Sequence, residues 1–173
     1  AAKALQGVSP DQLGVLVSPS ATLEEQYLSA KLARGLGSNS IDHRLRQADF
    51  RADESDPSLP WLGHSFDALL SLDAVVTPDE AHQAIAEQLK QAERGTLLIG
   101  SLAQLHPDYS LLRALSATLA GLTGATLGLV GTGANDTGAW MAGAVPHRAV
   151  GGQSVSGGRS VAEMIAAPPS LLM

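Results

Sequence analysis

Thr96-Leu97-Leu98-Ile99 and Thr126-Leu127-Gly128-Leu129-Val130 decide the fold. Each is a short apolar run without polar alternation, the pattern of a strand buried on both faces of a parallel sheet. Between them, Pro107 to Leu122 carries Leu111, Leu115, Leu119 and Leu122 at helical spacing. That interval predicts a crossover helix with those leucines on its inner face. Strand, helix, strand is the βαβ unit, which brings two strands side by side in parallel. Nearer the start, Leu13-Gly14-Val15-Leu16-Val17 is a third such run, closed by Ser18-Pro19. The expected fold class is therefore α/β: three-layer αβα with a Rossmann-like, mostly parallel sheet. In it, 13–17, 96–99 and 126–130 are neighbours, with Leu98 and Leu129 buried.

The connecting segments carry helix signals of their own. Thr22-Leu23-Glu24-Glu25 fits a capping box, in which the Thr hydroxyl takes the Glu25 amide and the Glu carboxylate reaches back. Leu28, Leu32 and Leu36 come next on one helical face, and Gly35 and Gly37 supply a left-handed ending. Thr77-Pro78-Asp79-Glu80 opens a second helix, with Ala81, Ile85, Leu89 and Ala92 as its apolar stripe and Gly95 beyond it. Glu80, Glu87, Lys90 and Glu93 lie largely off that stripe. Ser160-Val161-Ala162-Glu163 is a further capping box for a last short helix. Residues 41–66 read as a long surface connection with little regular structure, and 151–158 as a flexible glycine-rich loop.

Composition narrows the function classes. The chain has 173 residues, with Lys and Arg together 11 against 17 Asp and Glu, a net charge of −6. An acidic surface argues against nucleic acid as a partner. Cysteine is absent, which excludes disulfides, thiolate zinc sites and an iron–sulfur cluster held by these residues. No apolar run approaches the ~18 residues of a membrane span, so direct membrane insertion is not expected. Ala1 at the start and Leu171-Leu172-Met173 at the end suggest one domain over 1–173, cut from a longer, soluble intracellular protein.

Gly131-Thr132-Gly133-Ala134-Asn135-Asp136-Thr137-Gly138 follows a strand and precedes a possible helix, where amides can hold a phosphate. The dinucleotide fingerprint, however, needs its third glycine at the position of Asp136, and a carboxylate there repels a pyrophosphate. The favoured reading is a structural turn, with Asn135 or Asp136 capping the next helix. The histidines at 43, 64, 82, 106 and 147 have no helical pair spacing and read as solvated rather than as metal ligands. No Ser sits in a Gly-x-Ser-x-Gly elbow. Asp53 and Glu54 read as a solvated acidic patch. In Gly37 to Arg46, two alternate arginines suit an anionic ligand or acidic partner, against which stands an Asp42–arginine ion pair that locks the loop. The sequence thus offers no catalytic, cofactor-binding or metal residue, and leaves open whether the chain is an enzyme.

Leu32-Ala33-Arg34-Gly35-Leu36-Gly37-Ser38-Asn39-Ser40-Ile41-Asp42-His43-Arg44-Leu45-Arg46-Gln47 resembles the family of large peripheral-arm subunits of bacterial NADH-quinone oxidoreductase, respiratory complex I. So do 17–25, Gly124-Ala125-Thr126-Leu127-Gly128, Ala134-Asn135-Asp136-Thr137-Gly138-Ala139-Trp140 and Gly158-Arg159-Ser160-Val161-Ala162-Glu163-Met164. The resemblance implies the C-terminal, molybdopterin-oxidoreductase-like region of that large subunit, with a fold like formate dehydrogenase and DMSO reductase. It further implies a structural role in electron transfer from NADH to quinone, without molybdenum or pterin. The family's iron–sulfur clusters belong to an N-terminal part that these residues do not include. Other peripheral-arm subunits are the implied partners, on the cytoplasmic side of the bacterial inner membrane. The rival reading is a molybdopterin-dinucleotide-binding domain of a molybdenum oxidoreductase. It requires cations at the strand ends, yet the first cation after Gly131 to Gly138 is Arg148; a nucleotide-binding module of another α/β family is a weaker third. Relative to the family, Leu72-Asp73-Ala74-Val75-Val76 meets the cap Thr77 directly. The expectation there is an internal gap at 76–77, departing from the ~3.8 Å spacing of a trans peptide.

Overall fold

The computed structural model describes residues 2–5, 7–53, 60–65, 67–68 and 82–173. The junction at Val76 and Thr77, the run 72–76 and the predicted helix start at 77–81 lie outside the described residues.

Among the described residues five strands form two parallel sheets. β1 (Leu13–Leu16) lies between β2 (Ile41–Asp42) and β5 (Leu171–Leu172), while β3 (Thr96–Ile99) pairs with β4 (Thr126–Leu129). Val15 stands opposite Ile41 and Leu13 opposite Leu171; in the second sheet Thr96 stands opposite Thr126 and Ile99 opposite Leu129. The helices are α1 (Ala2–Leu5), α2 (Leu23–Gly35), α3 (His82–Gln91), α4 (Tyr109–Thr123), α5 (Asp136–Met141) and α6 (Val161–Ala166). The fold is α/β with parallel pairing, as the apolar runs predict.

The sheet order corrects the prediction in one respect. β3 and β4 are parallel neighbours, but β1 does not join them. Both edges of β1 are occupied: Val15 and Val17 N–H groups donate to Ser40 and Asp42 carbonyls, and Leu16 N–H donates to Met173 O. The apolar tail that reads as a cut end is a strand, and Ile41–Asp42, read as surface connection, is another. Two-residue strands carry no period for sequence patterning to detect. Leu129 is buried as predicted, at 6 % exposure, whereas Leu98 is 48 % exposed. Leu98 Cδ2 and the Leu62 carbonyl both close on Gly128, where a side chain would have no room.

Two helices turn their leucines outward. In α2, Gln26, Ala30 and Ala33 are buried while Leu28, Leu32 and Leu36 are exposed. In α4, Tyr109, Arg113 and Ala120 face inward, and Leu111, Leu115, Leu119 and Leu122 do not. The small face of α2 allows close approach: Ala30 and Ala33 pack with Ala139 of α5, Val15, Val17, Ile41 and Ala144. A leucine spacing of four identifies a face without saying that it is the inner one, because alanine fills the opposite face equally well. α3 keeps Ile85 and Leu89 half-buried and Glu87 and Lys90 exposed, as its pattern predicts.

The caps agree closely with the sequence. Thr22 and Ser160 both form complete capping boxes with Glu25 and Glu163. Gly37, at φ 86°, ends α2 in the left-handed region, and Gly35 remains helical. The glycine-rich 151–158 segment is tied down by Ala149 N–H to Gln153 O and Asn39 Nδ2 to Ser156 O.

Candidate functional site

In parallel α/β sheets, ligands bind where the loops leave the carboxyl ends of strands. Here β2 leads into Asp42-His43-Arg44 and β4 into Gly131 to Asp136. The two loops meet, His43 Nε2 lying 3.8 Å from Asp136 Oδ1.

Asp42, fully buried, is the hub. Its Oδ1 accepts the backbone N–H groups of His43 and Arg44 and Arg44 Nε at 2.8 Å; its Oδ2 accepts Arg44 Nη2 at 2.9 Å and Val161 N–H at 3.0 Å. Val161 opens α6, so the carboxylate also meets the positive end of that short helix. Arg44 forks a second time, Nη1 and Nη2 donating to the two Asp53 oxygens at 2.7 and 2.9 Å. Phe50 and Trp140 lie beside the guanidinium, their ring centroids 4.8 and 5.7 Å from Cζ. Planar bidentate pairing and ring stacking are what an arginine supplies and a lysine does not. Burial raises the Asp42 carboxyl, but the adjacent guanidinium outweighs it and holds the group below the usual carboxylate range. Burial likewise opposes the charge on Arg44, and Asp42 more than compensates.

Two histidines border this hub. His43 Nδ1–H donates to Ala144 O at 2.9 Å, and burial pushes the imidazole pKa down. His147 packs edge-on against Trp140 with centroids 5.2 Å apart, its Nδ1 3.5 Å from Asp53 Oδ2. Burial lowers His147 to about 4, with Arg44 and Arg148 adding to the fall and Asp53 opposing it. Both are corrections to the solvated reading. His106 is exposed as predicted, its Nδ1 accepting the Asp108 N–H, and His64 is half-exposed.

Asp136 settles the nature of the glycine loop. Its Oδ2 accepts Thr132 N–H at 2.5 Å and Thr132 Oγ1 at 3.2 Å, so the carboxylate folds back onto its own loop. A Cβ on Gly131 would stand 2.6 Å from that oxygen, and one on Gly133 would stand 2.5 Å from Pro19 Cβ. These glycines serve close approach. The expected side-chain cap of α5 is absent from both Asn135 and Asp136. Asn135 Nδ2 instead donates to Ala21 O and Gln26 Oε1, joining the loops after β1 and β4.

The Asp53 patch is also corrected: Asp53 is paired with Arg44 and its side chain is 15 % exposed, while Glu54 lies outside the described residues. Of the two readings for 37–46, the Asp42–Arg44 pair is the one formed. Sequence reasoning missed Asp53 and His147 as members of the cluster. Asp42 and Arg44 are two positions apart and readable as a pair; Asp53 and His147 arrive through folding alone.

The open spaces around the cluster test whether a dinucleotide fits. Between His43, Arg44, Gln47, Gln104, Asp136 and Trp140 there are about 20 Å³, room for about one water, where a ligand pocket takes ~300 Å³ or more. An open cleft of about 430 Å³ runs along the glycine loop, lined by Trp61, His64, Val130, Gly131, Ala134 and Asp136. Among the described residues no Lys or Arg lines it, and its loop amide at Thr132 is already spent on a carboxylate. A pterin dinucleotide's phosphates do not fit that surface. A larger cleft, about 650 Å³, borders Asp49, Arg51, Asp53, His147 and Glu163. Its carboxylates are engaged within the protein: Asp49 with Arg51, Asp53 with Arg44, Glu163 with Ser160. Among the described residues no group of three or more His, Asp or Glu is placed to hold a metal ion. No family model matches the chain, and no curated protein matches it.

Proposed function

We propose that this chain is a structural α/β unit of the large peripheral-arm subunit of an NADH-quinone oxidoreductase, carrying no redox centre of its own. One observation supports this reading above the rest: the charged groups at the strand ends are spent on one another. Asp42, Arg44 and Asp53 close a buried network, and Asp136 takes the amide that a phosphate would need. The family resemblance at 32–47 runs through the same Asp42–Arg44 pair. In this reading the two parallel sheets belong to a three-layer region like that of formate dehydrogenase. Electrons pass from NADH to quinone through clusters held elsewhere in the large subunit. The partners are other peripheral-arm subunits on the cytoplasmic face of the bacterial inner membrane; among the described residues no helix is long and apolar enough to cross a membrane.

The rival, a molybdopterin-dinucleotide domain, requires an anion at the loop where Asp136 stands. Native mass spectrometry of the purified protein separates the two. The bare chain mass is expected, and a retained pterin or nucleotide overturns the structural reading. Comigration of the tagged protein with NADH dehydrogenase activity in native gels of the host's membranes is the second expectation. Failure to comigrate removes the complex I assignment while leaving the ligand result standing.

A further inference from the structure

The loops that leave β2 and β4 face each other through two atoms that do not bond directly. His43 and Asp136 are 2 and 5 % exposed. Asp136 Oδ2 is satisfied by Thr132, but Oδ1 is buried and accepts no hydrogen bond among the described residues. It faces His43 Nε2 at 3.8 Å. What Nε2 can offer is fixed on the other side of the ring. Nδ1 lies 2.9 Å from Ala144 O, and a carbonyl oxygen only accepts, so the ring hydrogen is on Nδ1. In a neutral imidazole Nε2 is then a bare lone pair. Burial, which pushes the His43 pKa down, favours that neutral form. Two acceptors therefore face each other, too far apart to share a proton and both away from bulk solvent. Buried acceptors are costly unless a donor reaches them.

We propose that one water molecule is bound between them, donating one hydrogen to His43 Nε2 and the other to Asp136 Oδ1. Both residues line the space of about 20 Å³, and a buried water needs at least ~10–15 Å³ and two or more polar partners. The angles fit as well. A water about 2.9 Å from each atom sees the 3.8 Å pair roughly 80° apart, which keeps each O–H···acceptor angle above ~150°. Arg44 and Arg113 border the same space, and their guanidinium charges oppose a metal ion there. Water is neutral and carries the two hydrogens that two acceptors require. His43 N–H already donates to Asp42 Oδ1 at 2.8 Å. The bridge therefore carries the buried polar network from Asp42 through His43 into the glycine loop.

Two measurements on the natural protein test the proposal. A high-resolution crystal structure is expected to show a single water within about 3.2 Å of both His43 Nε2 and Asp136 Oδ1. Nitrogen NMR of the imidazole rings near neutral pH is expected to show His43 uncharged, with its hydrogen on Nδ1 and none on Nε2. A dry space, a metal ion in it, or a hydrogen on Nε2 overturns the proposal; in the last case the ring meets the carboxylate directly. His43→Phe keeps a planar ring and removes the acceptor. The variant is expected to lose the water, read in its own crystal structure, with circular dichroism as the folding control. A folded His43→Phe that keeps the water in place overturns the bridge. If the variant does not fold, the two measurements on the natural protein decide alone.

Discussion

Arg44→Met removes the guanidinium and keeps the unbranched apolar stem. In the native protein that group serves two carboxylates, with 4 % of its side chain exposed against 0 % for Asp42 and 15 % for Asp53. The variant leaves both without a countercharge. Breaking a buried pair by removing one partner costs about 3–5 kcal/mol. The lower end applies, because Asp42 keeps three amide donors and Asp53 touches solvent. A loss of about 3 kcal/mol corresponds to a Tm lower by roughly 6–12 °C for a chain of this length. The pH dependence has a definite sign. The folded Asp42 carboxyl lies below its ordinary value, so its pairing stabilises the protein above about pH 3.9 and is lost as pH falls through the folded value. In Arg44→Met, burial raises Asp42 with the guanidinium gone and only the amide donors left to oppose it. The variant's deficit is therefore largest at neutral pH and shrinks on acidification, as the buried carboxyl takes a proton. Urea titrations between about pH 5 and 8, followed by the fluorescence of buried Trp140, measure this directly. A deficit under about 1 kcal/mol at neutral pH, or one indifferent to pH, refutes the reasoning.

Two further outcomes rest on local geometry. His147, lowered to about 4, is neutral when folded and takes a proton on unfolding below about 6.5. Stability falls between those values by roughly 1–2 kcal/mol after allowance for its partial solvent access, and His147→Phe is expected to flatten that part of the Tm-against-pH curve. Gly128→Ala drives a Cβ into Leu62 O and to 2.6 Å from Leu98 Cδ2, costing about 1–3 kcal/mol or more. Gly121→Ala meets nothing within 4 Å on a helix and is expected to gain about 0.5–1 kcal/mol. Opposite signs in thermal melts check that pair.

The parts of the fold legible in the sequence are those set by local chemistry. Both capping boxes, the glycine that ends α2 and the parallel pairing of 96–99 with 126–130 come from spacing and side-chain reach. Failures arise where the deciding partner is remote. Ile41–Asp42 and Leu171–Leu172 become strands because β1 offers them two edges, and β3 and β4 pair in a separate sheet. The leucines of α4 mislead because Arg113, the residue that looks solvent-bound, is on the inner face. At the site, Asp42 and Arg44 are near neighbours and their pairing is readable. The second fork to Asp53, and the burial of His43 and His147, depend on where Phe50, Trp140 and Ala144 come to rest.

The placement of β5 has a consequence for synthesis. Leu13 cannot find Leu171 until all the chain between them has been made, and Gln12 and Ser170, which bond beside that pairing, are 158 positions apart. During translation β1 and β2 can close around Ile41 early, since little chain separates them, but one edge of β1 stays bare. An unpaired apolar edge invites the wrong strand. The nascent chain therefore passes through a long interval in which its central strand is open to misassembly, and only the arrival of Leu171-Leu172 closes it.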